Sequence, residues 1–291
     1  MIISEADVIG RRTGEASPLL KARIAGVLYL IIIVTAGFAE GFVRDKLVVG
    51  SDAAATANNL LTHELLYRAA GAADLINLVC DTVLALLFYE LLKPVSRSLA
   101  LLAAFFRLVH VAILAVSTLF HFAALVWLRA AQDMPAFGTP QLQELALVSL
   151  KLHGQGYNIC LVFFGIACLV MAYLIWKSTF LPRILGLLLA IAGCGYVINS
   201  YLTFLVPTLA RHLFPWLLLP GFPAELALAL WLVIKGVNTS RWDSMHRGAM
   251  GRPNQAMQRT APAPMRNFRV VSSSSLQPRA GSGAVADLES R

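Results

Sequence analysis

The chain has 291 residues, a formal net charge of +8, 58% hydrophobic residues, 14% charged residues and a mean hydropathy of +0.69. A water-soluble domain carries about 25% charged residues, so the composition excludes one and makes the lipid bilayer the first partner of an integral membrane protein. Nucleic-acid binding is not expected either, because the excess of cations forms no basic face with interleaved aromatics.

Six segments, at 22–43, 65–92, 99–128, 154–176, 183–206 and 213–235, reach the ~20 mostly apolar residues that a membrane-crossing helix needs. The first is longer than the core of a cleaved signal peptide and reads as a retained anchor, with a small-residue step at Gly37 and Ala39 as the feature that would favour cleavage. After it, "SDAAATANNLLTHELLYR" opens on Ser51 or Asp52 as an N-cap and continues in good helix formers, which predicts a short helix at the membrane surface.

The second span carries Asp74, Asn77 and Asp81. At 100° per residue they share a stripe of about 60°. Arg68 and Glu90 fall on the other side, near the span ends, where they can snorkel or pair with neighbours such as Lys93. In the third span Arg107, His110, Ser117 and His121 share a stripe of about 80°. The tight connection "KPVSRS" at 93–98 makes these two spans antiparallel neighbours, so the polar stripes should face each other. "KSTFLPR" at 177–183 does the same for the fourth and fifth spans, and the connection at 129–153 reads as a loop.

The fifth span places Tyr196, Asn199 and Thr203 on one face and Gly186, Ala190 and Gly193 on a small-residue face suited to close helix contact. The sixth is interrupted by "PGFP" at 220–223, just before Glu225. Such a break either kinks a packing helix or starts a half-helix near Ala224 whose amides point to the midplane. Counting from the turns at 1.5 Å per residue puts Asp81, Arg107, His110 and Glu225 about 12 to 17 Å deep, near the middle of a core about 30 Å thick.

Asp81, Arg107, His110 and Glu225 are therefore the candidate binding site. Asp74, Asn77, His121, Asn158 and Asn199, with His153 and Tyr196, form a second polar set nearer the other face. Ionisable groups at this depth pair with one another, line water or act on a substrate. Arg107 can neutralise Asp81 in a purely structural pair. His110 and Glu225 are surplus to that pair and keep a functional reading open.

Cys80, Cys160, Cys168 and Cys194 all fall within spans without C-x-x-C spacing and read as buried, reduced residues. No Walker loop, nucleophile elbow or zinc spacing is present, His110 has no haem-ligand partner at its level and His121 with His153 is the only loose pair, so no cofactor, metal or catalytic residue is expected. Residues 236–291 change character: eight arginines against Asp243, Asp287 and Glu289 give a net +5 in an Arg-, Ser-, Pro- and Gly-rich stretch. A disordered basic tail is expected there, and "PNQAMQRTAPAP" also looks like translated repeat DNA. The expected division is a cytoplasmic segment 1–21, a six-span domain 22–238 and a tail 239–291. Cations concentrate at the connections near 93–97, 177–183 and 235–241 and before the first span, which predicts both termini in the cytoplasm.

The stretches "DLINLVCDTVLALLFYELLKPVSRSLALLAAFFRLVHVAIL", "LVFFGIACLVMAYLIWKSTFLPRILGLLLAIAGCGYVINS" and "ELALALWLVIKGVN" resemble a bacterial family of polytopic membrane proteins, domain-of-unknown-function family 4386. The resemblance runs over about 22–238 and implies a compact six-span domain; it implies no activity, substrate or catalytic residue. The fold expected is all-α, a six-helix transmembrane bundle. Its leading role would be a small-solute or proton-coupled transporter or channel, the alternative a non-catalytic membrane partner or sensor, and the pattern is silent on oligomeric state.

Overall fold

A computed structural model of the protein describes residues 16–130 and 136–260, and every regular element among them is a helix. Ser17 caps α1 by accepting from the Leu20 amide, and Pro18 opens it; the helix runs Pro18–Leu47 and includes a π-helical stretch at Phe38–Arg44. Asp52 caps the short α2 (Ala53–Thr62) by accepting from the Ala55 amide at 2.9 Å, as its sequence predicts. Then come α3 (Glu64–Leu92), α4 (Arg97–Arg129), α5 (Thr139–Lys177), α6 (Arg183–Leu205), α7 (Pro207–Leu213), α8 (Gly221–Ile234) and α9 (Thr239–Thr260).

Five of these, α1, α3, α4, α5 and α6, are long and apolar enough to cross a membrane. The sixth passage is broken: α8 has 14 residues, about 21 Å, and is bent by 98° from Thr239–Ala249. The helices pack in chain order, α1 on α3, α3 on α4, α4 on α5, α5 on α6 and α6 on α8, and α8 returns to α1. The result is a closed ring.

Glycines set the closest approaches. A β-carbon on Gly193 would sit 2.8 Å from the Gly165 carbonyl oxygen, and one on Gly26 would sit 2.8 Å from that of Ala229, so α5–α6 and α1–α8 touch backbone to backbone. The ring is polar inside and apolar outside. On α3, Asp74, Asn77 and Asp81 are buried while Leu75, Ile76, Val79, Val83 and Leu86 are exposed, the arrangement that lipid demands.

One end carries the short connections. Glu90 there binds Lys21 and Lys93 at 3.1 and 2.7 Å, and Lys93, Lys177 and Arg183 lie over the rings of Tyr89, Tyr173 and Trp176. Arg68 pairs with Glu64 near the opposite end.

Three expectations are corrected. The segment read as a loop at 129–153 is helical from Thr139, because Leu142, Ala146, Leu147, Leu150 and His153 form a buried face that extends α5 to 39 residues. Cys194 is exposed rather than buried, while Cys80, Cys160 and Cys168 are buried and unpaired. The tail expected from residue 239 begins as a helix, held by a 2.9 Å bond from the Trp242 indole to the Leu91 carbonyl and one from Arg241 to the Thr179 carbonyl. By contact the chain divides into Met1–Gly251 and Arg252–Arg291; of the second unit only the helical residues 252–260 are described, and the rest of the expected disordered tail, like most of the segment 1–21, lies outside the described residues.

Trp242→Ala removes both that hydrogen bond and half-buried ring area, and should cost about 1–3 kcal/mol. Thermal unfolding in detergent measures it, and an unchanged midpoint would detach α9 from the fold.

Candidate functional site

The ring encloses a cavity of about 320 Å³ lined from α1, α3, α4, α5, α6 and α8. Its wall includes Glu40, Arg44, Asp74, Asp81, Arg107 and Glu225, together with Asn77, His110 and several aromatic rings. Such a volume lies at the lower end of the range for small-molecule sites.

At its centre Arg107 Nε donates to Asp81 Oδ1 at 2.6 Å, with Nη2 at 2.5 Å from the same oxygen. The two residues are 1% and 2% exposed, which puts both charges out of water. Three rings box the guanidinium: those of Tyr29, Phe88 and Phe164 have their centroids 5.2, 5.6 and 5.2 Å away. Among the described residues Arg107 Nη1 and the Tyr29 hydroxyl have no hydrogen-bond partner. His110 donates from Nδ1 to the Cys160 carbonyl at 3.1 Å, which turns Nε2 toward Asp81 Oδ2 at 3.8 Å.

Glu225 stands apart from this pair. It accepts from the Tyr196 hydroxyl on α6, and no cation among the described residues lies within ion-pair distance of it. Gly221, one turn earlier, makes that bond sterically feasible, since a β-carbon there would collide with the Tyr196 ring. The helix break lies before Glu225 but earlier than the sequence places it: residues 214–220 form turns and α8 starts at Gly221, not near Ala224, so most of "PGFP" lies in the first turn of the helix; Leu218 and Phe222 on either side of its start line the cavity. Irregular backbone at membrane depth is tolerated where it faces such a space.

A second cluster shares the cavity wall at Glu40, Arg44 and Asp74. Arg44 grips Asp74 with both terminal nitrogens, at 2.7 and 3.2 Å, and reaches Glu40 from Nε at 2.6 Å. His121 donates from Nε2 to the Tyr67 carbonyl at 3.1 Å and offers Nδ1 to Arg44 at 3.5 Å. The Tyr67 ring stacks on it at 4.0 Å. Arg44 is 7% exposed although it reads in the sequence as a loop cation just beyond the first span. The π-helical stretch brings it in, and such stretches recur at functional positions.

The structure thus joins Asp81, Arg107 and His110 in direct contact and sets Glu225 on the same cavity. Asp74 and His121 meet at Arg44, and Asn77 donates to the Ile32 carbonyl at 3.2 Å on the cavity wall. Asn158 and Asn199 bond to each other at 3.4 Å between α5 and α6, and neither is among the residues that line the cavity. His121 and His153 lie 5.9 Å apart, each bonded to a backbone carbonyl. Glu40, Arg44, Tyr29 and Tyr157 complete the region; of these, Glu40 and Arg44 could have been found from their four-residue spacing at the end of an apolar run.

The model of a family described as "Domain of unknown function (DUF4386)" matches residues 24–236 of this sequence. The chain belongs to the DUF4386 family. An uncharacterised protein of Archaeoglobus fulgidus is similar to it, 30% identical over 159 residues that cover 55% of this chain and 78% of that one. No solved structure matches the chain. The match of the DUF4386 model ends within two residues of Ile234, the last residue of α8, so the ring of six helices and its cavity lie almost wholly inside the family region.

Removing one member of a buried pair leaves the other uncompensated, so Asp81→Asn and Arg107→Gln should each destabilise the protein by about 3–5 kcal/mol. The double variant should recover part of that loss. A double-mutant cycle in bicelles reads the coupling, and additive losses would show that the pair carries no interaction.

Proposed function

We propose that this member of the DUF4386 family is a small-solute or proton-coupled transporter or channel, with the Asp81–Arg107–His110 group and Glu225 at its binding site. One observation carries the reading: a cavity among all six helices whose mostly apolar wall carries ionisable groups, with a carboxylate on the broken sixth passage that is ion-paired to no wall cation. An intramembrane ionisable group left over from structural pairing is the usual mark of a substrate or ion pathway. The half-exposed Glu40 at the wall, and Gly37 beside it with open space where a side chain would be, supply a way in from one end.

A second reading has its own support. Asp81 and Arg107 satisfy each other out of solvent, as a register-fixing pair would, and under that reading the protein is a non-catalytic membrane partner or sensor. In either case we place it in a bacterial inner membrane, as the resemblance to a bacterial family implies, with both termini cytoplasmic on the strength of the cations gathered at the end bearing the short connections.

Water access separates the two readings. Ala36→Cys and Leu218→Cys line the cavity and should react with a small, charged thiol reagent in native membranes, whereas Ala167→Cys in the apolar core should not. Protection of all three would remove the transport reading. In the same membranes Ser51→Cys and Thr139→Cys should label from outside the cell and Ser98→Cys and Thr179→Cys should not; the reverse pattern inverts the topology.

A further inference from the structure

We propose that the cavity takes a small monovalent organic cation, of the ammonium class, which Glu225 and the surrounding rings hold in exchange for a proton on that carboxyl. The proposal rests on the cavity being a solute site and names its substrate class.

Charge on the cavity wall selects the guest. Four carboxylates on the wall, Glu40, Asp74, Asp81 and Glu225, face two guanidiniums. Arg44 is shared by Glu40 and Asp74, and Arg107 is taken by Asp81, so the cation supply is used up before Glu225 is reached. An ionised carboxylate in a low-dielectric interior needs a counter-charge, and the choices left to Glu225 are a proton or a cation from outside. The hydroxyls that face it, Tyr196, which donates to it, and Tyr29, are neutral. Glu225 also retains accessible surface of its own, as a side chain facing an internal space does.

Aromatic faces decide what kind of cation fits. Tyr157, Phe164, Tyr196 and Phe222 line the same cavity as Glu225. A carboxylate among several aromatic rings is the chemistry that binds alkylammonium groups; a bare metal ion would want several oxygen ligands, and no cluster that could hold one occurs among the described residues. The volume of about 320 Å³ restricts the guest to a small molecule. The free Arg107 Nη1 is the one feature that speaks for an anion, yet that guanidinium is already boxed by three rings and bound to Asp81, and the excess of wall charge is negative.

Cation and proton then exclude each other on one carboxyl. One positive charge enters and one proton leaves, so the charge of the cavity is unchanged. The other groups facing Glu225 are Tyr29 from α1, Asp81 from α3, Arg107 from α4, Tyr157 and Cys168 from α5, and Tyr196 from α6. Asp81 and Arg107 are locked to each other, which leaves Glu225 as the group free to trade its proton.

Three probes of one shape test this on the full chain in detergent: tetramethylammonium, uncharged tert-butanol and anionic pivalate. Titration calorimetry in a weak buffer with a pH electrode reads affinity and proton release together. Tetramethylammonium alone should bind and release up to one proton, with an apparent Kd that rises as pH falls, approaching about tenfold per unit. Glu225→Gln should weaken binding at least tenfold and abolish the release while its thermal midpoint holds. If that variant does not fold, charge selectivity and proton release in the wild type still decide the matter. Binding of tert-butanol or pivalate as tight as that of tetramethylammonium, or no binding of any probe while Ala36→Cys stays reactive, would overturn the cation proposal and leave the solute site standing. No binding together with an unreactive Ala36→Cys would overturn both.

Discussion

A guanidinium remains charged at any pH a cell reaches, so placing Arg107 in the middle of a membrane domain dictates much of what surrounds it. Its counter-charge comes from Asp81 on the neighbouring helix, and its remaining faces are covered by Tyr29, Phe88 and Phe164 from three different helices. Each of these groups has to sit at one depth. The packing of α1, α3, α4 and α5 is therefore tied to a single side chain, and the His110 ring is fixed in the same move by its bond to Cys160.

The polar interior separates into what is paired and what is left over. Two ion-pair groups, one at Arg107 and one at Arg44, are held by short, well-aimed bonds, although Arg44 is shared by two carboxylates, Glu40 and Asp74. Burying such pairs costs solvation that their attraction only roughly offsets, so they specify an arrangement more than they stabilise it. Glu225 belongs to neither group. It reaches the cavity because Gly221 lets Tyr196 approach α8 and because the chain before Gly221 is not a helix.

Helical periodicity was enough to read the Asp81–Arg107 meeting, since two stripes on antiparallel neighbours joined by a tight turn have to face each other. Depth counting placed Glu225 on the same level, and "PGFP" signalled a break, which falls at 214–220, just before it. Arg44 was hidden because a hydropathy window ends at Val43 and carries no record of a π-helical stretch that rotates the next residue inward. The extension of α5 to Thr139 was hidden differently: Leu142, Ala146 and Leu150 keep a helical spacing, but their polar neighbours lower the local hydropathy to that of a loop. Asn158 and Asn199 look like cavity polar groups in sequence, yet they only bridge α5 and α6, a distinction that depends on rotamers and not on position along the helix. What an unpaired carboxylate binds is a property of the empty space beside it, and sequence does not list empty space.

Because the ring closes between its first and last members, with Gly26 of α1 against Val233 and Ala229 of α8, it cannot be completed until synthesis of the membrane domain is nearly over. The hairpin of α3 and α4 can neutralise Asp81 with Arg107 as soon as both helices have left the ribosome. Glu225 arrives last, and the helix that supplies its Tyr196 partner has only just preceded it. The carboxylate and the cavity it lines are thus completed together, at the closing of the ring.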